Sequence, residues 1–284
     1  MVLGTTAVVG IGETAFYRPG EAPESEFQLA CIAVSRAAED AGIPLKEIDG
    51  FVSYSDRQEP VRLSAALGVK QTTFTAQCWG GGGNGVAQAV AIASAAVEAG
   101  YAKYVVAFRS LAQGQFGRFG QARGPNRVAG GQAYTSPYGL VTPAQNCAIQ
   151  TRRFMYEYGI SQEALAEISL ASYAHAQRNP RAVRHGRPLT REDYHNSRWI
   201  VEPFHLFDCC QENDGAAAVI LTTAERASDL PRPPAYIKST GQGMEYRAGA
   251  GSFNNPEFPT AHYRLVGEQI WERSGVGPQD VDVA

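Results

Sequence analysis

The order of apolar and polar positions divides the first third of the chain into alternating strands and helices. "TAVVGIG" (Thr6 to Gly12) is a short β-branched run ending in glycines and predicts a first strand. In "SEFQLACIAVSRAAEDAG" the apolar positions Phe27, Ala30, Cys31, Val34, Ala37 and Ala41 recur with helical spacing. Ser25 and Gln28 suit a capping box at its start, and Gly42 suits its C-terminal stop. "IDGFVSYS" predicts the next strand; "RLSAALGV", "TTFTAQC", a glycine run with its helix, and "YVVAFRS" then complete a βα alternation. Such alternation predicts a mostly parallel or mixed sheet covered by helices.

From Leu111 to about Tyr138 the composition shifts to Gly, Gln, Arg, Ser and Pro with no sustained period. A surface excursion of that length is a candidate lid or substrate wall. Helical spacing returns at Ala144 to Tyr158, opened by Pro143, and at Gln162 to Gln177, before an Arg-, His- and Pro-rich stretch through Trp199. "DGAAAVILTT" (Asp214 to Thr223) reads as a strand, and "SDLPRPP" (Ser228 to Pro234) as a linker. Beyond it a second cycle begins with the strand "AYIKSTGQG", a loop, the helix "AHYRLVGEQIWERSG" and "VDVA", which reads as the start of another strand. These pieces cannot close a sheet of their own. The expectation is therefore a second lobe of which the chain carries only the beginning, as in a truncated or cleaved protein; the alternative is that they extend the first sheet.

Composition narrows the function classes. The 284 residues, 44% of them hydrophobic, suffice for one large core or two modest ones in a soluble globular protein. A formal net charge of -3 provides no global field to gather nucleic acid or an anionic membrane, so neither is expected as a partner. The five cysteines, Cys31, Cys78, Cys147, Cys209 and Cys210, follow no metal or disulfide spacing, which fits a reducing cytoplasm. The start, "MVLGTTAVVGIGETAF", lacks a cationic leader and a long apolar run.

Two glycine motifs carry candidate chemistry. "GIGETA" (Gly10 to Ala15) matches a dinucleotide fingerprint, but it leads into the polar, Pro-containing "FYRPGEAPE" rather than directly into a helix. In "QCWGGGGNGVAQAVAIASAAVEAG" (Gln77 to Gly100), four glycines run into a small-residue helix. Glycine there lets backbone or a bulky ring approach closely; simple packing against another helix is the alternative reading. His175, His185, His195 and His205 recur every ten residues, which matches neither a helix face nor zinc spacing. Cys209, Cys210 and Asp214 precede a strand and read as structural, with Asp214 a candidate to orient the active-site loops.

"AVVGIGETAF", "EIDGFVSYS", the glycine loop with "AQAVAIASAAVEAGYAKYVVAFRS", and "DCCQENDGAAAVILTTAERA" occur in an order that resembles the thiolase superfamily. The resemblance is to its sterol-carrier-protein, lipid-transfer-protein branch and spans Val8 to Ala284. It implies an α/β, thiolase-like layered αβαβα fold with the second lobe incomplete. Residues 1–228 would form the N-terminal lobe with a long insertion at about 111–205, and 235–284 would begin the C-terminal lobe.

In thiolases a cysteine sits at the mouth of a buried helix, where unpaired N–H groups stabilise its thiolate. On that pattern the nucleophile position falls on Gly82, so the thiol is missing, and Cys78 lies in the strand-to-loop entry. Members of the branch without the thiol resemble steroid side-chain-cleaving aldolases. The resemblance therefore implies retro-aldol cleavage of a steroid or other bulky β-hydroxy acyl-CoA, with Gly82, Gly83, Asn84 and Gly85 holding the enolate or substrate and Tyr246 as acid/base. A second catalytic group would lie beyond Ala284. Arg118, Arg123, Arg178 and Arg184 are candidates for the phosphates of coenzyme A. No cofactor is expected in this chain. The implied partners are a second copy and a DUF35-type zinc-ribbon/OB-fold subunit, which would own any zinc. A thiolase using Cys78 and a non-catalytic acyl-CoA or sterol carrier are the alternatives.

Overall fold

The structure, a computed structural model, describes residues 4–54, 58–78, 85–117, 119–121, 127–244 and 263–283. In chain order the first elements are β1 (Thr6–Glu13), α1 (Glu26–Ala41), β2 (Gly50–Tyr54), α2 (Pro60–Ala66), β3 (Phe74–Cys78), α3 (Gly85–Glu98), β4 (Val105–Leu111) and α4 (Gln113–Phe116). There follow α5 (Pro143–Tyr158), α6 (Gln162–Arg178), α7 (Arg191–Asn196), β5 (Trp199–Val201) and β6 (Phe204–His205). The last are β7 (Gly215–Thr223), α8 (Ala224–Ala227), β8 (Ala235–Ile237) and α9 (Tyr263–Ser274). The chain divides into two units: residues up to Gln115 with Asn213–Met244 and α9 form one, and those of Phe116–Glu212 belong to the other.

The first unit is built on a six-stranded mixed sheet of order β3-β2-β4-β7-β1-β8. β2 pairs in parallel with β3 and β4, while β7 is antiparallel to both β4 and β1. α1 covers one face, its Leu29, Ala33 and Ala37 packing with Val9, Phe51, Val106 and Ile220. α3 covers the other through Ala89, Ala93 and Ala96 against Val52, Tyr54, Cys78 and Leu221. Alternation along β2 and β4 sends successive side chains to opposite faces, so each strand feeds both cores. The start of α1 carries the expected reciprocal bonds, with Ser25 and Gln28 each bonding the other's backbone, and Gly42 closes it at φ 69°.

The strand after the linker joins the same sheet. β8 lies antiparallel on the β1 edge, with Thr6 opposite Ile237, so these residues extend the first sheet, the arrangement weighed as the alternative. It is only three residues long, shorter than the run "AYIKSTGQG" suggested. Val281 to Val283 form no strand, since no edge among the described residues pairs with them.

Gly10 and Gly12 lie inside β1, not at a turn into a helix. A Cβ at Gly12 would come within 2.1 Å of the carbonyl oxygen of Ala33, and one at Gly10 within 2.3 Å of that of Ala37. These glycines let α1 lie directly on the strand. The dinucleotide reading of "GIGETA" falls with that geometry, because its glycines serve helix packing and no helix begins until Glu26.

Asp214, fully buried just before β7, ties the loop after β1 to the short helix α4 within the sheet unit. Its Oδ2 accepts the N–H of Gly20 at 2.7 Å, its Oδ1 that of Gly114 at 3.4 Å, and its backbone exchanges both hydrogen bonds with Tyr17. Asp214→Ala strands these donors, so we expect a loss of about 3 kcal/mol in urea unfolding, and a smaller loss for Asp214→Asn, which keeps one acceptor.

In the second unit, α5 begins with a capping box of Thr142 and Gln145 and ends at Gly159. α7 lies in the Arg-, His- and Pro-rich stretch before Trp199. Its start is a box of Thr190 and Asp193, with aspartate in place of the usual Glu or Gln. A buried polar knot orders this unit: the Tyr194 hydroxyl donates to Asp208 at 2.8 Å and accepts from the Gln162 amide at 2.9 Å.

Candidate active site

Open α/β sheets bind ligands beyond the carboxyl ends of their strands. At that end of β2, β3 and β4 three side-chain positions come together on the α3 face. Gly85 is the first residue of α3, and a Cβ there would come 2.0 Å from Cε2 of Tyr54. Tyr54, at the end of β2, is buried, and its ring fills the space that a side chain at 85 would need. Arg109 of β4 lies alongside, its guanidinium carbon 4.0 Å from the centroid of the same ring. A ring packed on Gly85 is thus what requires glycine at this one position. Tyr54 was not among the residues predicted as site residues; an aromatic ending a strand reads as core until the helix opposite it is known.

On the α1 face of the same edge sits a buried polar cluster. Glu26 takes the N–H of Ala112 at 2.8 Å on one carboxylate oxygen and the amide of Gln58 at 3.2 Å on the other. The Ser110 hydroxyl donates to the Glu26 carbonyl at 2.7 Å and accepts from Gln58. An acidic residue in the first turn of a helix reads from sequence as an ordinary dipole partner. Its burial is a tertiary fact.

Cys78 ends β3 and is buried, and burial pushes its thiol above the ordinary cysteine value. A nucleophile needs the opposite, a lowered pKa in an electropositive, accessible setting. Cys78 is therefore ill suited to attack a thioester.

Of the other predicted site residues, Gly82, Gly83, Asn84, Tyr246, Arg118 and Arg123 lie outside the described residues. Arg178 is the last residue of α6, and the side chain of its neighbour Gln177 donates to the Arg184 carbonyl at 3.0 Å. Arg184 and Arg187 line a cavity of about 370 Å³ in the second unit with Tyr173, Asn196 and Ser197. The buried Nε of Arg184 has no hydrogen-bond partner among the described residues, and its guanidinium lies 5.8 Å from the centroid of the Tyr173 ring. A larger groove of about 890 Å³, lined by Tyr138, Leu140, Ile149 and Tyr156, runs along α5.

Among the described residues no cluster of His, Cys, Asp or Glu is placed to hold a metal ion, and no helix is long and apolar enough to cross a membrane. His195 instead bonds Glu163 at 2.8 Å, and His205 is buried with its ring centroid 3.7 Å from that of Trp199.

No family model matches the chain. It is 37% identical to the steroid side-chain-cleaving aldolase of Thermomonospora curvata, the alignment covering 99% of this chain and 73% of that one. It is also 37% identical to the 17-hydroxy-3-oxo-4-pregnene-20-carboxyl-CoA lyase of Mycobacterium tuberculosis, over 100% of this chain and 75% of that one. The chain belongs to the family of steroid side-chain-cleaving aldolases. A solved Ltp2-ChsH2(DUF35) aldolase superposes with a TM-score of 0.88 at 36% identity, covering 99% of this chain and 72% of that one. The thiolase-like fold is seen again in a monomeric SCP2-thiolase-like protein of Mycobacterium smegmatis, with a TM-score of 0.67 at 20% identity over 98% of this chain and 58% of that one. The family is thus one of carbon–carbon lyases on a thiolase scaffold, as the order of motifs implied.

Proposed function

We propose that the protein cleaves the side chain of a steroid, or similarly bulky, β-hydroxy acyl-CoA by a retro-aldol reaction that uses no cysteine nucleophile. The observation that carries this reading is Cys78. In an aldolase family built on a thiolase scaffold, the cysteine nearest the α3 entry is buried in β3 with a raised pKa, and glycine occupies position 82.

Retro-aldol cleavage is balanced without sulfur. A base removes the proton of the β-hydroxyl, its oxygen closes to a ketone, and the Cα–Cβ bond breaks. The electron pair passes into the thioester as an enolate, which is then protonated at Cα to release the shorter acyl-CoA. The first turn of α3 and the glycines before it supply the electrostatic requirement, because free N–H groups at a helix start favour negative oxygen. Tyr246 is the acid/base in this scheme. The pocket of Arg184 and Arg187, with a buried donor still to be satisfied, suits a phosphate of coenzyme A.

The protein works in the cytoplasm as a homodimer with a DUF35-type zinc-ribbon/OB-fold subunit; the similarity to an aldolase solved with a DUF35 component supports that partner. No cofactor belongs to this chain beyond the CoA of its substrate, and any zinc belongs to the partner.

The test is a panel of β-hydroxy acyl-CoA thioesters incubated with the protein and its partner. We expect a ketone and a shorter acyl-CoA in equal amounts, with no acyl adduct on Cys78 in the intact mass. An adduct on Cys78 would instead establish a thiolase, and binding without products a carrier.

A further inference from the structure

One face of α5 lines the groove of about 890 Å³ in the second unit: Gln145, Ile149, Arg152 and Tyr156 recur along it at helical spacing, and Leu140 and Val201 line it too. Ile149 and Tyr156 are exposed. Concave apolar and aromatic surface left in water is what small-molecule grooves are made of. From Gln145 to Tyr156 the helix rises about 16 Å, being 11 residues (156 − 145) at about 1.5 Å each. A rigid four-ring body fits along that length, and the volume lies within the about 300–1,000 Å³ of small-molecule sites.

The polar atom able to orient such a body belongs to Gln145. Its Oε1 accepts the N–H of Val141 at 2.9 Å and that of Thr142 at 2.8 Å. Backbone N–H groups only donate, so the side-chain atom facing them is the oxygen, and the amide NH2 is turned away from them. Among the described residues that NH2 has no hydrogen-bond partner. The capping box of α5 thus holds an amide donor in place at one end of a mostly apolar groove.

We propose that the α5 groove is the subsite for the fused-ring body of the substrate, and that the Gln145 amide donates a hydrogen bond to a ketone oxygen on its rings. The inference rests on the reading of the substrate as a steroid acyl-CoA and adds to it the ring chemistry selected: a carbonyl, which only accepts, matches a group that here can only donate.

The test is equilibrium dialysis, on the protein with its partner, of radiolabelled progesterone, which carries a ring ketone, and pregnenolone, which carries a hydroxyl at the same ring position. Wild type should prefer progesterone by about threefold or more. Gln145→Glu keeps the capping oxygen and exchanges the NH2 for an acceptor, so progesterone affinity should fall about tenfold and the preference should reverse. Ile149→Asp, at an exposed position, should weaken both steroids about tenfold by setting a charge against an apolar ligand. Absence of saturable progesterone binding in wild type overturns the proposal, as does a progesterone affinity within about twofold of wild type in either folded variant. Loss of the partner from the Ile149→Asp complex also overturns it, by making the groove a protein interface. Cleavage of a steroidal β-hydroxy acyl-CoA is followed in the same wild-type preparation. Its absence with the dialysis pattern intact removes the lyase reading and leaves the groove a steroid site; cleavage without that pattern does the reverse.

Discussion

Tyr246→Phe is expected to lower turnover of a β-hydroxy acyl-CoA by about 100-fold or more while acyl-CoA affinity stays within about threefold of wild type. Retro-aldol cleavage cannot begin until the hydroxyl proton has somewhere to go. The proposed scheme gives that proton to the Tyr246 oxygen, a tyrosine hydroxyl being one of the groups that serve as general acid or base. Phenylalanine keeps the ring and removes only the oxygen, so binding is spared. Single-turnover rates and binding constants measured in parallel check both halves. A variant that turns over within about threefold of wild type would remove Tyr246 from the chemistry.

Gly12→Val should cost at least about 3 kcal/mol of unfolding free energy, a large share of the about 5–15 kcal/mol by which domains are stable.

 

The reason is what Cβ would strike. The first atom met is the carbonyl oxygen of Ala33, 2.1 Å away, and the next is the amide nitrogen of Ala37 at 2.4 Å, both main-chain atoms of α1. A neighbouring side chain could rotate aside, whereas α1 can yield only by lifting off β1 and opening the core around Leu29 and Val34. Gly131→Val is the matched control, since nothing lies within 4 Å of a Cβ there; we expect it to remain within about 0.5 kcal/mol of wild type. Urea midpoints of the two variants, measured with the m-value, check the contrast. Equal midpoints would show that α1 does not need the bare strand.

Much of the site was legible in its parts and not in its assembly. The run of glycines before α3 announced a close approach, and Gly85 has one, but the sequence did not say that the approaching group is Tyr54, which lies 31 positions earlier (85 − 54). The place of Arg109 beside that ring was not legible either. Its relation to α3 exists because β4 pairs with β2 in a register that sets Ser53 opposite Phe108, which brings the next pair, Tyr54 and Arg109, side by side. Asp214 read as a structural acid before a strand. The segments it holds, the loop at Gly20 and α4 at Gly114, come from distant parts of the chain.

What the sequence determined by itself was local. The capping box of Ser25 and Gln28, the stop at Gly42, the helical stripe between them and the β-branched runs are set by contacts within a few residues, so periodicity and caps suffice to place them. The tertiary structure decided the order β3-β2-β4-β7-β1-β8, the return of β8 to the edge of β1, and the work of Gly10 and Gly12 as a seat for α1. These depend on which surfaces meet, and a missing side chain records only that space is needed. The group that fills the space is chosen by packing between segments far apart in the chain.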